Sequence, residues 1–363
     1  MTGTWVSGPN LPDREFCYVV FILIQTEQKM KKWVEPTHAT PEGELTAEDV
    51  TSWRVHGYAL VHGLIEASAV RNAKNEFLAL MKREKPSSGM GGYDFPTSSP
   101  ALNDVILNES IIVAVRRLLC TEDVLLTQAD AWPKEYSMEQ NTDQRMHIDA
   151  WNHMNVVPPR WDSPSSVAMI VYLTDIEKTG GATAVVPRRN ERDTAYDPLS
   201  LMRTPGCGAL PYINLKHEAE RYFHETDPDT AKFRDGLYER EVFANARQGT
   251  VLFYRHDTWH RGTPLTVPGT TRLVMNLSYR RADAQWFQHW NSGWGKTVYA
   301  KDQTIVNTIA KGSVMQRGVL GFPMPGDKYW TEETVRLVGM RYAHLGFDTT
   351  PYRLGLGKEK SKL

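Results

Sequence analysis

Four runs in the middle and later part of the chain constrain the fold more than any other feature: DVLLTQAD (123–130), SVAMIVYLT (166–174), GTVLFYR (249–255) and RLVMNLSY (272–279). Each is apolar, β-branched or aromatic and is bounded by turn residues, which is the signature of a strand. Lys178-Thr179-Gly180-Gly181 punctuates the chain between SVAMIVYLT and a further short run, ATAVVP. Strands of this kind with little helix between most of them predict a mainly β core, either an antiparallel double sheet or a barrel.

Helices are expected on the flanks. Thr46 is placed as an N-cap with Asp49 three residues on, and RVHGYALVHGLI follows as a short strand and turn. From Glu66 to Glu84, Val70, Ala73, Phe77, Leu78 and Met81 fall at helical spacing, and Pro86 ends the segment. Residues 190–247 interrupt the strands with charge, His and Tyr, and NLKHEAERYFHE and DTAKFRDGLY look helical. Such an insertion is often a lid or binding loop and equally often a surface excursion without a role. A last helix is expected from Thr331 to Leu345, with Glu332 and Glu333 in its first turn and Gly346 past its end. The organisation that follows is an irregular lead-in (1–45), one catalytic domain (46–300) and a C-terminal extension with one helix (301–363).

A length of 363 residues is enough for one large domain or two small ones. A formal net charge of -1 is too balanced for nucleic acid or an anionic membrane to be the main partner. The longest apolar run, FCYVVFILI at 16–24, is about half of what a spanning helix needs and lacks the surroundings of a signal peptide. Three widely separated cysteines, Cys17, Cys120 and Cys207, define no disulfide framework and no cysteine zinc site. Of the eleven Trp, Trp286, Trp290, Trp294 and Trp330 fall late, where large aromatics usually fill core. The final tripeptide, Ser361-Lys362-Leu363, has the form of a peroxisomal import address read by a receptor. It predicts a peroxisomal location; the alternative is a frayed basic tail on a cytoplasmic protein.

Two segments carry chemistry. In DQRMHIDAW, His147 and Asp149 stand two apart, a spacing that on a strand puts both side chains on one face. A lone H-x-D is a weak signal. In GTVLFYRHDTWHRGTP a strand leads to His256 and His260, a Val-Pro-Gly turn follows, and Arg272 opens the next strand. Two imidazoles and one carboxylate that leave coordination positions open form the facial triad of non-haem Fe(II) oxygenases. Arg272 adds a permanent, bidentate positive charge of the kind that grips the far end of a dicarboxylate. Either His256 or His260 fits as the second imidazole, and the turn and Arg272 that follow favour His260. His153 reads as solvated or as a core histidine, and Arg188 and Arg189 as surface arginines or a site for an anionic substrate such as a CoA phosphate.

These motifs together resemble the phytanoyl-CoA dioxygenase family of Fe(II)/2-oxoglutarate oxygenases. The residues that carry the resemblance are His147-x-Asp149, VYLTD followed by Gly180-Gly181 and AVVP, WHRGTP with Arg272 twelve residues after His260, and Gln128 and Lys134 six apart in TQADAWPK. HGYALVHGLIE and GFPMPGDKYW extend it, so that it covers about residues 46–355. It implies a double-stranded β-helix (jelly-roll, cupin-like) core with flanking helices. It implies His147, Asp149 and His260 as iron ligands and Arg272 as partner of the distal carboxylate of 2-oxoglutarate. Lys134 is implied as a second contact to that co-substrate, and Thr263 as a hydroxyl contact. The implied cofactors are Fe(II), 2-oxoglutarate and O2. The implied reaction is hydroxylation of a small molecule or acyl-CoA, with release of succinate and CO2. Asp149 stands where halogenating relatives lack the carboxylate. Pro187-Arg188-Arg189-Asn190 departs from the family's P-G-S-H, and Ile170 stands where some members have an aromatic residue. Two other classes compete: a zinc-dependent hydrolase or isomerase on the same three ligands, and a jelly-roll binding protein without turnover.

Overall fold

The computed structural model describes residues 32–87, 91–137, 141–150, 157–158, 160–284, 309–319 and 322–357. The apolar run at 16–24, Cys17, His153, Trp286, Trp290, Trp294 and the terminal Ser361-Lys362-Leu363 lie outside the described residues.

Among the described residues, eleven strands run in chain order: β1 (Trp33–Val34), β2 (Thr37–His38), β3 (Tyr58–His62), β4 (Tyr93–Asp94), β5 (Val124–Glu135), β6 (Ser166–Tyr172), β7 (Thr183–Val185), β8 (Val242–Ala244), β9 (Thr250–Tyr254), β10 (His260–Gly262) and β11 (Thr271–Arg281). One sheet has the order β2-β3-β9-β6-β11-β5-β4 and the other β1-β8-β7-β10. His147 pairs antiparallel with His260 and so extends the smaller sheet past β10. Without the edge additions, the large sheet reads β5-β11-β6-β9 and the small one His147-β10-β7-β8. From β5 to β11 the chain therefore passes from sheet to sheet at every step except between β7 and β8, which pair within the small sheet, and this is the path of a jelly roll, the expected double-stranded β-helix.

The central strand β6 shows how the sequence builds two cores at once. All seven of its residues are buried. Val167, Met169 and Val171 face a helical layer, while Ala168, Ile170 and Tyr172 face the inside of the roll. A strand covered on both faces needs no polar alternate, and this is why SVAMIVYLT reads as a continuous apolar run. The helical layer is Ala47–His56, Ala67–Arg83, Pro100–Ile106 and Glu109–Leu119. Phe77 of the second helix and Phe253 of β9 are fully enclosed there, and each contributes about 1.5–3 kcal/mol by leaving water. Thr46 and Asp49 form the expected reciprocal cap, with the Asp49 amide donating to Thr46 Oγ1 at 3.1 Å and the Thr46 amide to Asp49 Oδ2 at 2.8 Å.

Three expectations need correction. The lead-in is not irregular to residue 45, since β1 pairs parallel with β8 and β2 parallel with β3; two-residue strands leave no periodicity to read. The 190–247 insertion ends inside the core, because its residues 242–244 are β8 of the small sheet. The C-terminal region holds helices Val314–Val319 and Thr350–Leu354 besides the expected one, which spans Glu332–Arg341 and closes through a 3-10 turn to Gly346. Trp330 does fill core there, packed with Phe322 and Tyr352.

The insertion's helices, Lys216–Thr226 and Pro228–Arg240, hold the segment that carries His147. Arg234 is fully buried, grips Glu220 through two bonds of 2.8 and 2.7 Å, and donates to the Met146 carbonyl at 3.0 Å. Tyr238 accepts from the Met146 amide at 2.9 Å and donates to Glu220 at 2.6 Å. Both backbone groups of the residue before His147 are thereby fixed by the insertion.

Candidate metal centre and its cavity

His147 and His260 come together because their backbones pair. The His147 amide donates to the His260 carbonyl at 3.0 Å, the reverse bond is 2.8 Å, and the ring centroids lie 4.3 Å apart. Each Nδ1 faces a carbonyl two residues earlier, Arg145 at 3.1 Å and Thr258 at 2.9 Å. A carbonyl only accepts, so each Nδ1 carries the proton and each Nε2 is left as a donor atom for a metal. Burial, with Arg145 and His260 adding, holds the His147 pKa well below 6.5, so this ring stays neutral.

Asp149 completes the group. Its amide and that of Ala150 both donate to the His256 carbonyl, at 2.8 and 2.7 Å, which bends the chain after His147 toward β10. Asp149 Oδ1 lies 3.5 Å from His147 Nε2 and Oδ2 lies 3.3 Å from His260 Nε2. One ligand atom from each of the three residues falls within 4.8 Å of the other two, a set that can hold a metal ion. Tyr254, on β9 of the opposite sheet, donates its hydroxyl to Asp149 Oδ2 at 3.0 Å. Burial and the neighbouring Asp149 carboxylate hold that phenol well above its ordinary pKa, so it remains a donor. His256 stands apart from the group. Its ring lies between Ser166 and Ser278, at 2.7 and 3.2 Å.

The three side chains open onto a cavity of about 690 Å³, whose wall also includes Arg272, Lys134, Tyr254 and Ile170. Arg272 and Lys134 are register partners on β11 and β5. Arg272 is buried and, among the described residues, has no carboxylate partner. Its Nη1 donates to the Gly181 carbonyl at 2.5 Å and its Nε has no acceptor. Burial lowers its pKa, with the Tyr172 phenol pulling the other way. Lys134 donates to the carbonyls of Thr142 and Thr263, at 2.6 and 2.8 Å. Burial, with Arg272 adding, pulls its pKa down to about 7.

Five of the six residues singled out in sequence therefore reach one cavity. Thr263 does not take the expected place. Its hydroxyl donates to the Ala182 carbonyl at 2.7 Å, and what it offers Lys134 is its backbone oxygen. Thr183 of β7 lines the cavity instead, accepting from the Tyr172 hydroxyl at 2.7 Å. Arg188 is stacked on Trp161, 4.5 Å from the ring centroid, and neither it nor Arg189 belongs to the cavity wall. Sequence reading missed Tyr254 and Asn276, which line the cavity, and Asp130, whose carboxylate accepts from Asn276 at 3.0 Å. A polar residue inside an otherwise apolar strand, as in TQADAW and LVMNLS, was the available signal for the last two.

The fold and the site thus define a jelly roll that carries a His-Asp-His group able to hold a metal ion and, beside it, a buried guanidinium with no carboxylate partner among the described residues. No protein-family profile and no curated protein matches the chain. Among solved structures, it is similar to the epimerase SnoN in complex with Fe3+, alpha ketoglutarate and nogalamycin RO, at 19% identity over 66% of this chain and 84% of that one, TM-score 0.47. It is similar to HygX from Streptomyces hygroscopicus with nickel and 2-oxoglutarate bound, at 16% identity over 66% and 88% of the two chains, TM-score 0.46. It is also similar to apo EctD from S. alaskensis, at 15% identity over 70% and 85%, TM-score 0.48.

Proposed function

We propose that this chain is a non-haem Fe(II)- and 2-oxoglutarate-dependent dioxygenase that hydroxylates a small molecule, related to the phytanoyl-CoA dioxygenase family through the motifs quoted above. The observation that carries the reading is Arg272: a buried guanidinium without a carboxylate partner among the described residues, its Nε lacking an acceptor, in the same cavity as the His-Asp-His group. A buried charge left unpaired is costly, and it persists where a ligand completes it. A five-carbon diacid has the charge to do so, and 690 Å³ leaves space for a second small molecule beside it.

His147, Asp149 and His260 would hold the metal, Arg272 the far carboxylate of 2-oxoglutarate, and Lys134 would add a second positive charge to that end. Bound iron and 2-oxoglutarate supply oxidative decarboxylation to succinate and CO2, coupled through O2 to hydroxylation of a C–H bond. The chain's own part is orientation and shielding. The Nδ1 bonds aim both imidazoles, Tyr254 sets the Asp149 carboxylate, and the insertion helices hold the His147 segment still. A zinc hydrolase would use the same ligands but has no task for Arg272.

The test is formation of succinate from 2-oxoglutarate by the purified protein, dependent on Fe(II) and O2 and lost in Asp149→Ala. Full activity in Asp149→Ala with iron present defeats the ligand assignment. Zinc-supported hydrolysis without succinate moves the protein to the competing class.

A further inference from the structure

The cavity has a second polar wall, formed where β5 runs beside β11. Asp130 and Asn276 are register partners there, and Gln128 lies one pair further along the same face. Asp130 is 3% exposed. Burial pushes its carboxyl up to about 6, and the other charged group acting on it is a second carboxylate, Asp94. Its hydrogen bonds come from two amides, Gln128 Nε2 to Oδ2 at 2.8 Å and Asn276 Nδ2 to Oδ1 at 3.0 Å.

This arrangement decides which way the two amides face. An ionised carboxylate only accepts, so both side chains must turn their NH2 groups toward it. Each carbonyl oxygen is then directed away from Asp130. Gln128 and Asn276 both line the cavity, and no described residue donates to either oxygen. The cavity is consequently two-ended. At one end Arg272 and Lys134 offer donors; at the other, the carbonyl oxygens of Gln128 and Asn276 offer acceptors beside the Ser278 hydroxyl, with the Asp130 carboxylate behind them. The sole further cation on the described wall is Lys85. A carboxylate is attracted to the first end and repelled by the second, which leaves the amide edge for a different molecule.

We propose that Gln128 Oε1 and Asn276 Oδ1 form the substrate-recognition edge of this site, and that the substrate meets them with hydrogen-bond donors, hydroxyl or ammonium groups, rather than with an acyl chain. The proposal rests on the oxygenase reading, because it takes the Arg272 end to be filled by 2-oxoglutarate. It replaces the acyl-CoA half of the sequence expectation with a polar, donor-rich small molecule. Asp130 acts through the two amides and is a positioning residue.

The experiment is a set of crystal soaks of the full chain loaded with Co(II) and 2-oxoglutarate. Glycerol and ethylenediamine are the donor probes; acetate and butyrate are the acceptor and apolar probes. The expected result is glycerol oxygens or ethylenediamine nitrogens at hydrogen-bond distance from both Gln128 Oε1 and Asn276 Oδ1, with acetate and butyrate absent from that edge. In Asp130→Asn the amides are free to turn, so the selectivity should be lost and acetate should bind there. Acetate, butyrate or a 2-oxoglutarate carboxylate on the amide edge of the parent protein overturns the proposal. So does an edge that takes neither donor probe at molar concentration. The parent soaks decide the matter even where Asp130→Asn fails to fold. Absence of 2-oxoglutarate from Arg272 in the same crystals defeats the oxygenase reading instead, and is scored separately from the fragments.

Discussion

The Tyr254 hydroxyl donates to Asp149 Oδ2 at 3.0 Å across the inside of the roll, and its ring sits 4.6 Å from that of His260. One strand of the large sheet thus orders a ligand group otherwise carried by the small one. Tyr254→Phe keeps the ring and removes the bond. Partners of this kind are worth about 10–100-fold in metal affinity or activity. Metal titration of a folded Tyr254→Phe protein checks this, and unchanged affinity would mean that Asp149 is ordered by its backbone alone.

Arg272→Leu should weaken 2-oxoglutarate by about 2 kcal/mol or more, roughly 30-fold or greater in its KM, as expected when one partner of a buried charge pair is removed. Metal affinity should be unaffected. Arg272→Lys should recover only part of the loss, because an ammonium lacks the planar fork.

If 2-oxoglutarate binds as proposed, Lys134 should make its binding proton-linked. In the free protein its pKa stands at about 7, against 10.5 for an ordinary lysine. A dianion beside it favours the charged form and raises that pKa again, so between these two values binding takes up a proton. Affinity for 2-oxoglutarate should be flat below about pH 7 and fall as the pH rises above it, by up to about one log unit per pH unit. Calorimetry at about pH 8 in buffers of different ionisation enthalpy should show the uptake, and Lys134→Met should abolish it.

Gly180 and Gly181 should tolerate alanine unequally. Gly180 has φ 73° and ψ -161°, and a Cβ there would lie 2.3 Å from the Thr266 amide nitrogen. Gly180→Ala should cost at least about 3 kcal/mol, since both the conformation and the backbone contact forbid it. A Cβ on Gly181 meets the movable Leu265 Cδ2 at 2.6 Å, at φ 72°. That variant should lose about 1–2 kcal/mol and raise the 2-oxoglutarate KM, because the Gly181 carbonyl holds Arg272. Thermal unfolding and steady-state kinetics separate the two.

The Arg234–Glu220 pair ties the insertion to the metal centre. Arg234→Met strands Glu220 and should cost about 3–5 kcal/mol. Replacing both residues by Met should return most of the stability. It should not return metal affinity, since the Met146 carbonyl stays unheld.

Local signals made much of this molecule legible. Continuous apolar runs marked β6, β9 and β11, because a strand buried on both faces writes its burial into every residue. Thr46 with Asp49, and the spacing of Val70, Ala73 and Phe77, announced their helices for the same short-range reason. His147, Asp149, His260, Arg272 and Lys134 were reachable through motif order and spacing.

What tertiary structure alone decided was which polar group faces which partner. Whether Thr263 offers the cavity its hydroxyl or its carbonyl depends on β10 pairing with β7, a register that leaves its Oγ1 beside Ala182. That Tyr254 meets Asp149 depends on the sheets closing over one another, and that Asp130 turns two amides outward depends on β5 pairing with β11 in register. Strand and helix propensities act over a few residues and are written locally. The orientation of a buried polar group is settled by neighbours distant in sequence, 81 residues for Thr263 and Ala182 and 146 for Asn276 and Asp130, and only the folded chain brings them within reach.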